Sequence, residues 1–163
     1  MKNTGQRGGT VDADIDAPEA WNITTGSSDI VVAVIDTGVD YNHPDLAANI
    51  WTNPYETLNG IDDDGNGYVD DISGWDFFSK DNNPDDGSGH GTHCSGTIAA
   101  EGNNDIGVVG VSWNAKIMPL RFLGPDGGYT DDAILAIEYA ICNGADIMSN
   151  SWGGGGYSVA LKD

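Results

Sequence analysis

Basic residues are scarce in this sequence. Lysine and arginine total 6 against 26 aspartates and glutamates in 163 residues, a formal net charge of −20. Such a surface repels phosphate backbones and anionic lipid, which argues against nucleic acid and membrane as partners. Long apolar runs are missing too. The longest, "IVVAVI" at 30–35, is far too short to cross a bilayer. The opening segment, "MKNTGQRGGTVDAD", has no apolar h-region. The expectation is therefore a cytoplasmic protein, or one whose leader lies outside these residues. Cysteine is limited to Cys94 and Cys142, too few for a disulfide framework, and both read as buried free thiols. No repeat or low-complexity tract is present.

What remains is one domain's worth of chain with an ordinary apolar content of 39%. The acidity is uneven, because nine aspartates fall between 62 and 86. Solubility alone would scatter them, so the clustering favours a bound cation. "APEAWNI" predicts a short helix, and "DIVVAVIDTGVD" a strand that is β-branched and apolar throughout, as expected when both faces are covered. Residues 52–88 read as a long polar insertion, with a short strand at "GWDFF". A helix is predicted from His90 to Ala100, a strand at "KIMPLRFL", and a second helix at "TDDAILAIEYAICNG". That helix carries a Thr130 cap, acidic residues in its first turn and a stop at Gly144. "ADIMSNS" follows as another strand. Strands alternating with helices predict an α/β class: a mostly parallel sheet with helices on both faces.

Ligands of such sheets sit at the carboxyl ends of the strands. Asp36 follows "IVVAVI", Ser151 follows "DIMSN", and the helix start at His90 can reach the same edge. The stretch "DGSGHGTHCSGT", 86–97, holds two histidines three residues apart. Helical zinc pairs are usually spaced i, i+4, often with a glutamate between, so this spacing does not suit zinc. Glycines flanking His90 suit close approach by another chain segment. A catalytic base fits better: a buried carboxylate such as Asp36 would fix the tautomer and stabilise the imidazolium.

The blocks "VVAVIDTGVDYNHPDL" and "GHGTHCSGT" resemble the first two active-site blocks of the subtilisin-like serine proteases, and the likeness runs on through "NNDIGVVGVSWNAKIMPLRFL" and "GADIMSNSWGGG". It covers the chain from about Ile15 onward. The resemblance implies that Asp36 orients His90, that His90 is the general base and that His93 is structural. It implies that Ser151, Trp152 and Gly153 line a specificity pocket for polypeptide substrate, with "GPDGGY" and its Gly127 forming the opposite edge of the cleft. It also implies a secreted protein, made with a propeptide.

The family's nucleophile lies in a "GTS" block, and none occurs here: Gly9-Thr10, Gly91-Thr92 and Gly96-Thr97 are each followed by another residue. Ser88, Ser95, Ser112, Ser149, Ser151 and Ser158 are candidates on paper only. The expectation is that residues 1–163 form the N-terminal part of one subtilisin-like peptidase domain, truncated within a helix begun by Ser158 and inert alone. The other reading is a serine-less calcium-binding or peptide-binding module.

"DDDGNGYVDD", 62–71, resembles a shortened EF-hand loop, with Asp62, Asp64 and Asn66 at positions 1, 3 and 5 and the Tyr68 carbonyl at 7. Position 12 is Ser73, so Asp70 or Asp71 must close the shell around Ca2+. By resemblance alone, a second calcium is held by Asp45, the Asn104 side chain, the carbonyls of Gly102, Ile106 and Val108, and Gln6.

Overall fold

A computed structural model describes residues 2–162; Met1 and Asp163 lie outside the described residues. Four strands form one sheet: β1 (Val31–Asp36), β2 (Trp75–Asp76), β3 (Lys116–Arg121) and β4 (Ile147–Ser149). Their order is β2-β3-β1-β4 and every pairing is parallel, with Val31 opposite Lys116 and Val32 opposite Ile147. The class is α/β, as the alternation of predicted elements requires.

Four helices accompany the sheet: α1 (Ala17–Trp21), α2 (His90–Ala99), α3 (Thr130–Cys142) and α4 (Val159–Lys162). The apolar run of β1 explains why α2 and α3 pack on opposite faces. Side chains alternate along a strand. Ala33 and Ile35, with Met118 and Leu120 of β3, pack on Ala133, Ala136, Tyr139 and Ala140 of α3. Val32 and Val34, with Ile117, pack on Ala99 and Ala100 at the end of α2. Burying each such aliphatic side chain is worth about 1.5–3 kcal/mol against leaving it exposed.

Two expectations need correcting. Thr130 does not cap α3: it is the first helical residue, and the extended Tyr129 before it supplies the carbonyl that accepts from Ala133 at 3.1 Å. The cysteines are free but not buried together. Cys94 is half-buried on α2, whereas Cys142 is exposed because it falls on the outer side of the last turn of α3. The insertion is also less external than its polarity suggests, since Asn53, Glu56, Asp71 and Asp76 are all buried. Ser158 does begin α4, with its Oγ accepting from Leu161 N at 3.3 Å. β4 is an outer strand, and its Ile147 is 54% exposed. Among the described residues, no helix is long and apolar enough to cross a membrane.

Candidate active site

β1 delivers Asp36 to the carboxyl edge of the sheet, where the side chain is completely buried. Its Oδ1 accepts from the Thr37 amide at 2.7 Å and lies 2.7 Å from His90 Nδ1, while Oδ2 is buried without a partner. His90 opens α2 with half its side chain exposed. Two glycines make this meeting possible. Gly89 takes φ +92° to start the helix, and a Cβ on Gly91 would sit 2.1 Å from the Gly38 carbonyl oxygen. The helix start therefore lies directly against the end of β1.

The hydrogen bond to Asp36, then the charge of that carboxylate, raise the His90 pKa above the ordinary 6.5. With Asp36 holding Nδ1–H, the lone pair of the neutral ring resides on Nε2, the nitrogen a base uses. Among the described residues, the hydrogen-bonding partner within reach of Nε2 is Cys94 Sγ at 4.0 Å. Ser95, a paper candidate for the nucleophile, is buried and donates to the Gly91 carbonyl at 2.8 Å. That bond turns its hydroxyl into its own helix.

Asp86 is a positioning residue that the sequence reading missed. Its carboxylate accepts from the amides of Ser88, Gly89 and Thr92 and from the hydroxyls of Thr92 and Thr37. Thr37 in turn accepts from the Gly91 amide at 3.0 Å. One carboxylate thus ties the first turn of α2 to the end of β1. Burial pushes the Asp86 pKa up, but the bonds from Thr92, Ser88 and Gly89 outweigh it and hold the carboxyl below its usual range. The signal available in the sequence was an acidic residue just ahead of a helix start, which also describes many unremarkable turns. Asp86→Ala is expected to destabilise the chain by about 2 kcal/mol, read by urea unfolding. A variant that unfolds with wild-type stability would show that the helix start needs no such anchor.

Phe122 and Leu123, whose amides donate to the Asp36 carbonyl, line a cavity of about 290 Å³ that brings Gly127 together with Trp152 and Gly153. Trp152 stands edge-on to Phe122 at 4.9 Å and forms its aromatic wall. Ser151 is exposed beyond β4 and does not line the cavity.

The acidic loop gathers two of the expected residues, Asp62 and Asp64, with a third carboxylate. The carboxylates that come within 4.8 Å of one another belong to Glu56, Asp62 and Asp64. Glu56, absent from the sequence reading, is buried and accepts from the amides of Asp63, Asp64 and Asp70. Asp62 accepts from Gly65, Asn66 and Gly67, and Asn66 donates to Asp64 at 3.1 Å. Of the expected closing residues, Asp71 is linked to the loop through Asn66, and both it and Asp64 accept from Asn53. Asp70 accepts from the amides of Asn59 and Gly60, and Asp71 accepts from Asn53, Asn66 and the Tyr139 hydroxyl. The Tyr68 ring packs against Trp75, Phe77 and Tyr139.

At the second expected locus, Asp45 is buried and joined to the 102–108 loop by Asn104 Nδ2 and the Val108 amide, each at 2.8 Å. The Ile106 amide donates to Asn104 Oδ1, and Gly102 packs tightly on the Trp113 ring. Gln6 is held locally, its side chain bonded to Thr4 and to the Lys2 carbonyl.

Comparison with known proteins places this geometry. A family profile, Peptidase_S8, the subtilase family, matches residues 27–163. Subtilisin-like protease 1 of Plasmodium falciparum (isolate 3D7) is 45% identical over 130 residues, covering 78% of this chain and 19% of that protein. Thermitase of Thermoactinomyces vulgaris is 39% identical over 141 residues, covering 86% and 43%. The cell wall-associated protease of Bacillus subtilis (strain 168) is 34% identical over 158 residues, covering 95% and 16%. Among solved structures, that of a lanthipeptide protease superposes with a TM-score of 0.61 at 26% identity, covering 85% of this chain and 33% of that one. The chain thus spans less than half the length of each of these relatives. With a buried aspartate paired to a histidine at the sheet edge and a profile match over most of its length, this chain belongs to the subtilase family of serine peptidases.

Proposed function

We propose that this chain carries the aspartate and histidine of a serine endopeptidase, with the nucleophilic serine supplied from outside residues 1–163. The carrying observation is the 2.7 Å contact of His90 Nδ1 with fully buried Asp36, which leaves Nε2 of a half-exposed ring clear of the carboxylate. His90 Nε2 takes the proton of the serine hydroxyl as it attacks the scissile carbonyl, and later returns it to the leaving amine. Asp36 keeps Nδ1–H oriented and stabilises the imidazolium without taking its proton. Polypeptide lies extended between the Gly127 edge and the Ser151–Gly153 edge, with Trp152 as a bulky wall. The family membership and a cell wall-associated relative support a protein that works outside the cell on polypeptide.

Two measurements test this reading. The source reading frame should continue past Asp163 into a Gly-Thr-Ser block opening a helix, and the purified 163-residue chain should neither hydrolyse a peptide nor react with a fluorophosphonate. A natural stop after Asp163 removes the enzyme reading and favours the calcium-binding or peptide-binding module. Labelling of a serine within the chain overturns the division of the triad.

Calcium is the second part of the proposal. Three carboxylates gathered on a loop, one of them buried, suit a hard cation with oxygen ligands, and Asp45 with Asn104 offers a second oxygen-rich locus. Bound calcium would neutralise and hold these loops. At a calcium concentration about 100 times the Kd, mass action adds about 2.7 kcal/mol and raises Tm by roughly 5–10 °C. Melts that coincide in chelator and in millimolar calcium would remove calcium from the reading.

A further inference from the structure

A smaller cavity, of about 200 Å³, is lined by Thr37 directly after Asp36, by Gly87 and Ser88 just ahead of His90, and by Arg121 at the end of β3. It shares Leu123 with the larger cavity at Gly127 and Trp152, so the two belong to one cleft. We propose that Arg121 is a specificity-determining residue, which holds the acceptor oxygen of a short substrate side chain, aspartate or asparagine, in this cavity. The inference rests on the peptidase reading and names what that reading leaves open, the side chain selected close to the base.

Arg121 is held in place from two sides. Its Nη1 donates to buried Asp76 at 3.0 Å, and its guanidinium lies over the Phe78 ring, 5.5 Å from the centroid. Yet it is under-used as a donor. A guanidinium is a rigid fork of N–H groups, and among the described residues Nε is buried with no partner. Room beside Nη2 is left by a glycine, since a Cβ on Gly87 would stand 3.3 Å from that nitrogen. Only 17% of the Arg121 side chain is exposed, so water satisfies these donors poorly.

What the cavity accepts follows from those donors. A lysine or arginine side chain would meet Arg121 as a like charge. Leucine, close to asparagine in shape, would cover the free N–H groups without satisfying them. A site built to hydrogen-bond its substrate discriminates most sharply against the analogue that lacks the acceptor. The volume, smaller than the 290 Å³ at Trp152, favours a short side chain over a bulky one. The neighbouring carboxylates are already engaged: Asp76 by Arg121 and the amides of Phe78 and Ser79, Asp36 by His90, and Asp86 by donors that include the Thr37 hydroxyl. Aspartate adds a charge-assisted bond against the field of Asp86, whereas asparagine brings the same oxygen uncharged.

The test is a library of fluorogenic peptides, cut by the complete peptidase in millimolar calcium, in which aspartate, asparagine and leucine replace one another at each position in turn. At one position both acceptor side chains should exceed leucine about 10-fold in kcat/KM. The aspartate advantage should shrink with added salt and the asparagine advantage should not. Arg121→Met combined with Asp76→Asn, which removes the donor fork together with its buried counter-charge, should bring the three peptides to near parity. The ratio among peptides is the readout, because a variant that merely loosens the fold slows all three alike. Should that double variant fail to fold, Gly87→Ala decides: it leaves the Arg121–Asp76 pair in place and sets a methyl against Nη2, and a wild-type ratio in it refutes the proposal. Cleavage with no position preferring an acceptor, or a preference that survives Arg121→Met, also overturns it and leaves the peptidase reading intact. A complete protein that cuts no member of the library overturns both.

Discussion

Asp71→Ala is expected to lose about 3–5 kcal/mol of unfolding free energy, the largest stability change of any single polar substitution considered. Asp71 is completely buried and is the common acceptor for Asn53 Nδ2 and Asn66 Nδ2, each at 3.0 Å, and for the Tyr139 hydroxyl. Tyr139 is itself only 2% exposed, in edge contact with Tyr68 at 5.1 Å and Phe77 at 5.9 Å. Burial, and then the bond to Asp71, push its phenol well above the ordinary tyrosine range, so it remains a proton donor under all ordinary conditions. Alanine would leave that donor in the core without an acceptor, at a cost of about 1–3 kcal/mol, and would take one of two acceptors from each asparagine amide, Asp64 being the other. Asp71→Asn keeps an acceptor oxygen and should lose roughly half as much. Urea unfolding followed by tryptophan fluorescence measures both. A loss below about 1 kcal/mol for Asp71→Ala would mean that the phenol finds another acceptor, and Asp71 would then not be what fastens the acidic loop to α3.

That fastening was not legible in the sequence, and the reason is physical. An apolar run bounded by turn residues declares itself, because a side chain that must leave water imposes a local period. β1, β3 and α3 could therefore be located, though the stretch predicted over 29–40 is strand only over Val31–Asp36 and that over 116–123 only to Arg121. A buried carboxylate imposes no period. Its partners are whichever donors the tertiary fold brings near, and for Asp71 these lie 18 residues before it, 5 before it and 68 after it. Glu56 escaped notice for the same reason: it serves the 62–64 loop from outside, whereas the EF-hand analogy looked for closing ligands only downstream. Asp86 sits in plain sight four residues before His90, yet its role depends on Thr37, 49 residues earlier. Asp36 and His90 were legible because short, specific blocks carry each of them. The fold adds what no block states: a shared oxygen at 2.7 Å and a glycine at 91 that lets the two elements touch.

Asp36→Asn is expected to lower peptide hydrolysis by the complete peptidase about 10⁴-fold while leaving the sheet intact. The carboxylate accepts Nδ1–H and so places the ring's lone pair on Nε2. An asparagine amide can instead donate to Nδ1, which puts the proton on Nε2, where a base cannot carry one at the start of the reaction. The same substitution shifts a titration, and its sign follows from the cause. Asp36 raises the His90 pKa above 6.5, first by its hydrogen bond and then by its charge. The wild-type base is therefore charged and idle at low pH, and the acid limb of kcat/KM should lie above 6.5. Because the folded pKa exceeds the unfolded one, the ion pair stabilises the fold fully below the unfolded value and ceases to do so as pH rises through the folded value. In Asp36→Asn both causes vanish, so the His90 resonance in the 163-residue chain should titrate at a lower pH than in wild type, by nuclear magnetic resonance. An unchanged midpoint would mean that Asp36 does not set the protonation of His90, and the assignment of orienter and base would fall with it. A lowered midpoint together with hydrolysis near wild type in the complete peptidase would keep the electrostatic pairing but make Asp36 dispensable for the chemistry. Only a lowered midpoint together with the large kinetic loss upholds the assignment of both roles.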